Sequence, residues 1–222
     1  MNKDELLRDL YDKTLVGNAP AVLELTRTGL ADGLGPETLL YEALIPSLEE
    51  VGARFERGDF FVPEMLIAGK AMAGALEILR PLLAETGAET IGTIVMGTVK
   101  GDVHDIGKNL VNIMFEGAGF HVIDLGVQVP PEKFIDAVTE YKPDIVGFSA
   151  FLTTTMPMFK ANINALNKAG LRDKVMIMVG GAPVTQEYAD VVGADGYAAD
   201  ASAAVVKAKQ LIAARRAAAL PA

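Results

Sequence analysis

His104 is one of only two histidines in the chain, and it stands between two aspartates in the segment GDVHDIGKN, residues 101–109. A neutral imidazole is a good transition-metal ligand, and a carboxylate on its second ring nitrogen fixes the tautomer and raises the basicity of the ring. Because positions i and i+2 of an extended segment project to the same side, Asp102 is expected to reach His104. A lone histidine cannot build an all-protein zinc site, which takes three or four protein ligands. A metal bound here must therefore receive most of its ligands from a cofactor.

The same segment is also compatible with a plainer role. In that interpretation His104 is a solvated loop residue that caps or hydrogen-bonds the start of a helix. Gly101 and Gly107 favour the binding role, because a residue without a side chain leaves room for a bulky group to pass close to the backbone.

The composition narrows the possible functions. The 222 residues include no cysteine, which excludes disulfides, thiolate metal sites, iron–sulfur clusters and a cysteine nucleophile. Twenty basic and 29 acidic residues give a formal net charge of −9, and a negative surface repels nucleic acid and anionic lipid. The charged N-terminus has no apolar signal-peptide core, and no stretch approaches the ~20 apolar residues of a membrane span. We expect a soluble, cytoplasmic protein with neither nucleic acid nor a membrane as partner.

The spacing of apolar residues divides the chain into two predicted domains. Up to about residue 88 they recur at helical spacing between breakers such as residues 17–20 and 32–36, which predicts a bundle of four amphipathic helices. Residues 1–89 contain 8 basic and 16 acidic residues, net −8, against 12 and 13, net −1, in the rest. We therefore expect an acidic helical cap domain over residues 1–88 and a second domain over residues 89–222.

The second domain is predicted to be an α/β sheet, because short apolar runs alternate with helical stretches. The predicted strands are residues 91–96, 121–125, 145–148, 175–179 and 196–198, and the predicted helices begin near Gly107, Pro131, Pro157, Thr185 and Ala201. This alternation favours a Rossmann-like (flavodoxin-like), doubly wound, five-stranded parallel sheet with both faces covered. In such sheets ligands bind at the carboxyl ends of the strands, so the binding residues are expected in the loops that follow the strands.

Several motifs, in order along the chain, resemble one known family. The segment DVHDIG, residues 102–107, resembles the Asp-x-His-x-x-Gly signature of cobalamin-binding domains. GFSAFLTTT, residues 147–155, resembles that family's Ser-x-Leu segment, and Gly180-Gly181 resembles its paired glycines. FERGDFFVPEM, residues 55–65, resembles the cap beside the cobalamin module of methionine synthase and of small corrinoid proteins. Essentially the whole chain is similar to the stand-alone corrinoid proteins of methyltransferase systems.

The resemblance implies cobalamin as cofactor, as methylcobalamin or another corrinoid. It implies that His104 replaces the cofactor's benzimidazole as the lower ligand of cobalt (base-off, His-on), that Asp102 orients His104, and that Thr155 continues this proton-linked chain. The displaced nucleotide tail would thread into a slot in the sheet domain. The implied cofactor contacts are Gly101, Asp102, Val103, His104, Asp105, Gly107, Ser149, Phe151, Thr153, Gly180, Gly181 and Ala201, with Phe55, Val62 and Met65 of the cap over the methyl-bearing face.

Some of these residues have simpler interpretations. The paired glycines are also typical of a tight turn, the serine and threonines of residues 149–155 of a helix cap, and the three cap residues of an ordinary core. Phe151 departs from the family pattern, which has leucine there, so we expect a reshaped pocket that still binds. His121 opens a predicted strand and is interpreted as structural. Lys100 and Lys108 either attract the cofactor's phosphate or are solvated.

The resemblance implies a methyl carrier. Cobalt(I) takes a methyl group from a donor, and methyl-cobalt(III) passes it to an acceptor such as tetrahydrofolate or a thiol, while the protein supplies binding, orientation and tuning. The sequence shows no zinc-ligand cluster, barrel or folate domain. We therefore expect a carrier subunit rather than a complete enzyme, with a donor-specific methyltransferase, an acceptor methyltransferase and a reductive activase as partners.

Three alternatives remain. One is a cobalamin-dependent sensor or regulatory module. A sensor that acts on DNA needs a basic DNA-binding domain, which the acidic composition of this chain does not favour. The second is the small subunit of a cobalamin-dependent mutase. A subunit of that kind has no cap that protects a methyl group, whereas a cap is predicted here. The third is a flavodoxin or receiver-type domain without cobalamin. Receivers need an acidic cluster after the first strand and a lysine after the fifth, where this chain has Gly97-Thr98-Val99 and Ala199-Asp200.

Overall fold

The computed structural model describes residues 2–86 and 90–219, which fall into two compact units. The first unit comprises Met1–Thr90 together with Ile113–Gly119, and the second comprises Ile91–Asn112 together with Phe120–Ala222. The domain boundary expected at residues 88 and 89 falls on residues outside the described ones. None of the helices in the described part of the chain has the length and apolar character needed to cross a membrane.

The first unit is built from helices. They are α1 (Lys3–Leu15), α2 (Ala19–Ala31), α3 (Pro36–Leu39), a π-helical segment (Leu40–Leu44), α4 (Ile45–Glu56) and α5 (Val62–Thr86). Because α3, the π-helical segment and α4 follow one another without a break, they form one of four helical stretches, as predicted. Asn2 and Glu5 form a capping box at α1, and the Asn18 side chain caps α2, which satisfies backbone donors that a first helical turn leaves unpaired.

The second unit is a parallel five-stranded sheet with a helix after each strand. The strands are β1 (Thr93–Thr98), β2 (His121–Asp124), β3 (Ile145–Ser149), β4 (Met176–Gly180) and β5 (Gly196–Tyr197). The helices are α6 (Ile106–Gly117), α7 (Pro131–Tyr141), α8 (Pro157–Lys168), α9 (Gln186–Val192) and α10 (Ala201–Ala219). The spatial order β2-β1-β3-β4-β5 is that of a flavodoxin-like doubly wound sheet, so the expected fold is confirmed.

Burial on both faces explains why the strands are apolar runs. A parallel sheet covered by helices buries both sets of alternating side chains, so neither set needs to be polar. Phe148 of β3 packs against Phe134 of α7 and Phe159 of α8, with ring centroids 4.8 and 6.3 Å apart, and all three side chains are buried. This core holds β3, and with it the loop that leaves the end of the strand.

The carboxyl ends of three neighbouring strands lie side by side. Thr98 at the end of β1 pairs with Ser149 at the end of β3, and Ser149 pairs with Gly180 at the end of β4. The loops that follow β1, β3 and β4 therefore begin next to one another at one edge of the sheet. These loops carry the three motifs of the second half of the chain.

Candidate cofactor site

The buried carboxylate of Asp102 is the centre of the site. Its Oδ1 accepts a hydrogen bond from the backbone N–H of His104 at 3.1 Å and lies 2.7 Å from Nδ1 of the same histidine. Its Oδ2 accepts from the backbone N–H groups of Phe151 at 2.8 Å and Leu152 at 3.2 Å, and from the Thr155 hydroxyl at 2.7 Å. Asp102 is fully buried. One carboxylate thus joins the loop after β1 to the loop after β3.

These contacts set the charge of Asp102 and the tautomer of His104. Burial raises the pKa of the Asp102 carboxyl group, because a charge removed from water is destabilised. The hydrogen bonds from Thr155, His104 and Phe151 oppose this effect and prevail, so the pKa of Asp102 lies well below its usual range. Since the ionised carboxylate can only accept, Nδ1 of His104 carries the ring proton. The lone pair is then on Nε2, which has no hydrogen-bond partner within residues 2–86 and 90–219.

His104 is also held from two other directions. The Thr98 hydroxyl donates a hydrogen bond of 3.0 Å to the backbone carbonyl of His104. The ring of Phe151 stacks on the imidazole, with centroids 4.5 Å apart and planes inclined by 28°. The histidine side chain is still 45% exposed, so one part of the ring faces solvent. A ring that is fixed at one nitrogen and open at the other suits a metal ligand.

Thr155, which the resemblance places in the same proton-linked chain, contacts Asp102 through its hydroxyl. Its hydroxyl oxygen lies 2.7 Å from Asp102 Oδ2 and 2.8 Å from the carbonyl oxygen of Leu152. A hydroxyl has one proton to donate, and a bond to an ionised carboxylate is the stronger of the two. The structure therefore brings Thr155, Asp102 and His104 together as one hydrogen-bonded chain.

The glycines at this edge of the sheet differ in what they do. Gly181 has φ +134°, and a Cβ atom there would lie 1.9 Å from the carbonyl oxygen of Ala150, so the backbone itself requires glycine. At Gly180 the nearest atom to such a Cβ is a backbone oxygen 3.8 Å away, and at Gly107 nothing lies within 4 Å. A Cβ atom at Gly180 or Gly107 would therefore meet no neighbour closer than an ordinary van der Waals contact.

The other residues expected at the cofactor are found in both units. Ser149 ends β3 and is partly buried, while Thr153 lies exposed in the following loop. Gly101, Val103 and Asp105 lie in the loop after β1, and Ala201 is the first residue of α10. In the helical unit Phe55 and Val62 are partly exposed, whereas Met65 is fully buried. That these residues contact the cofactor stays a prediction.

Two features of the site were not found from the sequence. Thr98 supports the His104 backbone, and the only signal for it is a polar residue that ends an apolar strand. The Lys108 side chain is 1% exposed, and its ammonium pairs with Asp124 and donates to Asn109 Oδ1 at 2.8 Å. Lys108 is therefore a buried ion-pair partner and not a solvated residue. The carboxylate of Asp124 at the end of β2 was the available signal.

The donor set indicates the kind of metal group that fits. Within the described part of the chain, no three His, Cys, Asp or Glu side chains are grouped to hold a metal ion. The site instead offers one ring nitrogen, Nε2 of His104, on a side chain that is 45% exposed. This arrangement fits a metal ion whose other ligands come from a macrocycle, and it does not fit a metal held by protein ligands alone.

Comparison with known proteins decides which family this is. A family model described as a B12 binding domain matches residues 92–206, and a second model with the same description matches residues 6–80. The chain belongs to the B12-binding corrinoid proteins. It is 44% identical over 214 residues to the dimethylamine corrinoid protein of Methanosarcina barkeri, an alignment that covers 96% of this chain and all of that protein.

Two solved structures are similar over nearly the whole chain. The methanol:cobalamin methyltransferase complex of Methanosarcina barkeri has a chain with a TM-score of 0.83 and 32% identity, covering 96% of this chain and 81% of that one. A cobalamin-binding protein from Desulfitobacterium hafniense has a TM-score of 0.67 and 31% identity, covering 92% and 98%. The expected cofactor and the assignment to the corrinoid methyl carriers of methyltransferase systems are confirmed. Cobalamin fits the site, since its corrin ring supplies the metal ligands that the described residues do not offer as a group.

Proposed function

We propose that this corrinoid protein binds cobalamin base-off and His-on, with Nε2 of His104 as the lower ligand of cobalt. The ionised, buried Asp102 carries this proposal, because it keeps the proton on Nδ1 and leaves the lone pair on Nε2. A carboxylate on the far nitrogen also makes the imidazole a more basic ligand. Thr155 holds the carboxylate in place by its hydroxyl.

The displaced nucleotide tail of the cofactor lies, in this proposal, along the carboxyl ends of β3 and β4. Ser149 and Gly180 are paired at these ends, and the lack of a side chain at Gly180, where a Cβ atom would come no closer than 3.8 Å to its nearest neighbour, supports a slot for the tail. Thr153 and Ala201 come from the loop after β3 and the start of α10. Gly181 borders the slot through its backbone, whose conformation at this position only glycine can adopt.

The bound cofactor supplies a cobalt centre that accepts a methyl group from one partner and gives it to another. The chain's own residues bind and orient that centre and exclude water from it. Within residues 2–86 and 90–219, no three His, Cys, Asp or Glu side chains are grouped to hold a metal that could activate a methyl donor, and we assign that step to separate methyltransferases.

We infer that the methyl donor is a methylamine such as dimethylamine. The supporting observation is that the curated relative with 44% identity is a dimethylamine corrinoid protein, whereas the structure that belongs to a methanol complex has 32% identity. The partners in this proposal are a donor-specific methyltransferase, an acceptor methyltransferase that uses tetrahydrofolate or a thiol, and a reductive activase. We place the protein in the cytoplasm, with no nucleic acid and no membrane as partner.

The test of the binding mode is the visible spectrum of the purified protein after reconstitution with methylcobalamin and gel filtration. The wild-type protein should retain cobalamin and show a spectrum with the benzimidazole displaced and a histidine on cobalt. His104→Ala should shift the spectrum to that of base-off cobalamin without a lower ligand, whereas His121→Ala, the matched control, should leave it unchanged. Identical spectra for wild type and His104→Ala would refute the lower-ligand role.

The donor is tested with the reduced, cobalamin-loaded protein. Methylation of the bound cobalamin is followed spectroscopically with dimethylamine, trimethylamine or methanol, each in the presence of a methyltransferase that uses it. Methylation that is fastest with dimethylamine supports the proposed donor class. A preference for methanol would overturn that class and leave the binding mode standing.

A further inference from the structure

Phe151 contacts both His104, the proposed cobalt ligand, and Asp102, which orients it. The backbone of Phe151 makes one contact and its ring makes the other. Its backbone N–H donates to Asp102 Oδ2 at 2.8 Å, and its ring stacks on the imidazole of His104 at a centroid distance of 4.5 Å. Both rings are about half exposed: Phe151 is 51% exposed, and the His104 side chain is 45% exposed. The stack therefore lies at the surface of the sheet unit, outside its core.

A single hydrogen bond does not fix the plane of a ring. The contact between Nδ1 of His104 and Asp102 Oδ1 holds one nitrogen and excludes the flipped ring, but it allows the imidazole to tilt about that anchored atom. Terminal torsions of this kind have broad minima, so the tilt costs little by itself. The face of Phe151 supplies the missing restraint, because two stacked rings prefer one separation and one small range of angles.

We propose that Phe151 is a positioning residue that holds the His104 ring in the orientation from which Nε2 binds cobalt. The inference rests on the proposed function, since it concerns the same histidine and the same metal. A ring that is already oriented loses less freedom on coordination, so the bond forms with a more favourable equilibrium. Phe151 does not need to touch the cobalt to have this effect.

The leucine that the family pattern has at this position separates the two contributions of Phe151. Phe151→Leu keeps an apolar side chain and the backbone N–H on Asp102, and it removes only the flat face. Phe151→Tyr keeps the face and serves as the conservative rescue. Since the Phe151 ring is half exposed, none of these changes opens a cavity in the core.

The matched control is Leu152→Ala. Leu152 is the next residue, 40% exposed, and its backbone N–H also donates to Asp102 Oδ2, at 3.2 Å. Alanine keeps that backbone donor and removes an apolar side chain that has no ring. A general effect of trimming apolar surface near the site would therefore appear in this control as well.

The first measurement uses the cobalamin-free protein and proton NMR of the histidine rings. The chain has two histidines, so the His104 signals are identified as those missing from His104→Ala. A ring proton above an aromatic face is shifted upfield, and we expect this shift in wild type, Phe151→Tyr and Leu152→Ala and its loss in Phe151→Leu. An unchanged His104 shift in Phe151→Leu would show that the stack does not persist in solution and would overturn the proposal.

The second measurement uses the cobalamin-loaded proteins. The ratio of histidine-coordinated to histidine-free cobalamin is read from the visible spectrum under one set of conditions. We expect Phe151→Leu to lower this ratio about threefold to tenfold, the range that a lost aromatic pair predicts. Phe151→Tyr and Leu152→Ala should remain within about twofold of wild type.

The two ideas fail in different ways. If wild type retains no cobalamin, or shows no histidine coordination, the proposed function fails and the role of Phe151 fails with it. If wild type is His-on and Phe151→Leu has the same ratio, the proposed function stands and the positioning role is wrong. A loss in Leu152→Ala as large as that in Phe151→Leu would also refute it, because the effect would then not depend on the ring.

Discussion

Thr155 Oγ1 lies 2.7 Å from Asp102 Oδ2, in a buried contact between residues 53 positions apart in the chain. The contact exists because β1 and β3 are neighbours and because Thr98 pairs with Ser149 at their ends. The two loops therefore leave the sheet side by side. The geometry of the site depends on the register of these two strands.

Thr155→Val should lower the free energy of unfolding of the cobalamin-free protein by about 1–3 kcal/mol, because the variant deprives the buried Asp102 carboxylate of a donor. Thr155→Ser keeps the hydroxyl and should stay within about 1 kcal/mol of wild type. Urea unfolding measures both. The control is Thr154→Val, at an exposed neighbour, and a loss as large there would contradict this explanation.

Asp102→Asn should be more costly than Thr155→Val. An amide offers one acceptor oxygen and one donor group, whereas five donors converge on the two oxygens of Asp102. Some of these donors must lose their partner, and we expect a loss of about 2–4 kcal/mol in the free energy of unfolding at neutral pH. Asp136→Asn, at an exposed site on α7, is the control and should change little.

The stability difference between wild type and Asp102→Asn should depend on pH. The pKa of Asp102 is lower in the folded protein than its usual value of 3.8, so the ionised carboxylate stabilises the fold at pH values above the unfolded-state pKa. That stabilisation is lost as the pH falls toward the folded-state pKa. Urea unfolding of the cobalamin-free proteins should show a constant difference near neutral pH that narrows below about pH 4. A difference that grows on acidification would contradict the assigned sign.

Substitution by alanine should affect stability differently at the two paired glycines. Gly181→Ala places a Cβ atom 1.9 Å from the Ala150 carbonyl oxygen at a φ of +134°, and we expect it to cost more than about 2 kcal/mol in stability. Gly180→Ala has space for the methyl group and should change stability by less than about 1 kcal/mol. It should nevertheless weaken cobalamin retention in gel filtration, because the methyl group enters the proposed slot. Full retention by Gly180→Ala would remove Gly180 from that slot.

In the ion pair of Lys108 and Asp124 only the lysine is buried, so removing one partner or the other should affect stability differently. Removing the carboxylate with Asp124→Asn leaves the Lys108 charge buried, since that side chain is 1% exposed, and we expect a loss of about 1–3 kcal/mol. Lys108→Met removes the buried charge and leaves Asp124, which is 38% exposed and can be hydrated. Thermal or urea unfolding should rank Asp124→Asn as the less stable variant. The reverse ranking would show that the burial of the Lys108 charge does not decide the stability of these two variants.

The helices and strands could be predicted because their apolar residues recur with different periods. The residues at which each element ends were predicted less accurately. The first strand was predicted at residues 91–96 and lies at Thr93–Thr98, and the fourth was predicted at residues 175–179 and lies at Met176–Gly180. A strand ends where its neighbours stop pairing with it. The pairing of Thr98 with Ser149 is a long-range property that no local pattern records.

Only part of the candidate site could be predicted, because some of its contacts are local in the sequence and others depend on the fold. The contact of Asp102 with His104 follows from a spacing of two residues in an extended loop. The backbone donors of Phe151 and Leu152 do not follow from the sequence, because every residue except proline carries the same N–H group. The stack of Phe151 on His104 could not be predicted without the fold, since the two residues are 47 positions apart in the sequence.

The two backbone donors on Asp102 have a consequence for how the site can evolve. Residues 151 and 152 hold the carboxylate through atoms that nearly every amino acid shares, so exchange of their side chains leaves that anchor intact. The group that covers His104 is therefore free to vary between lineages. Selection can therefore change the surface side chain beside His104 while the backbone hydrogen bonds to Asp102 are kept.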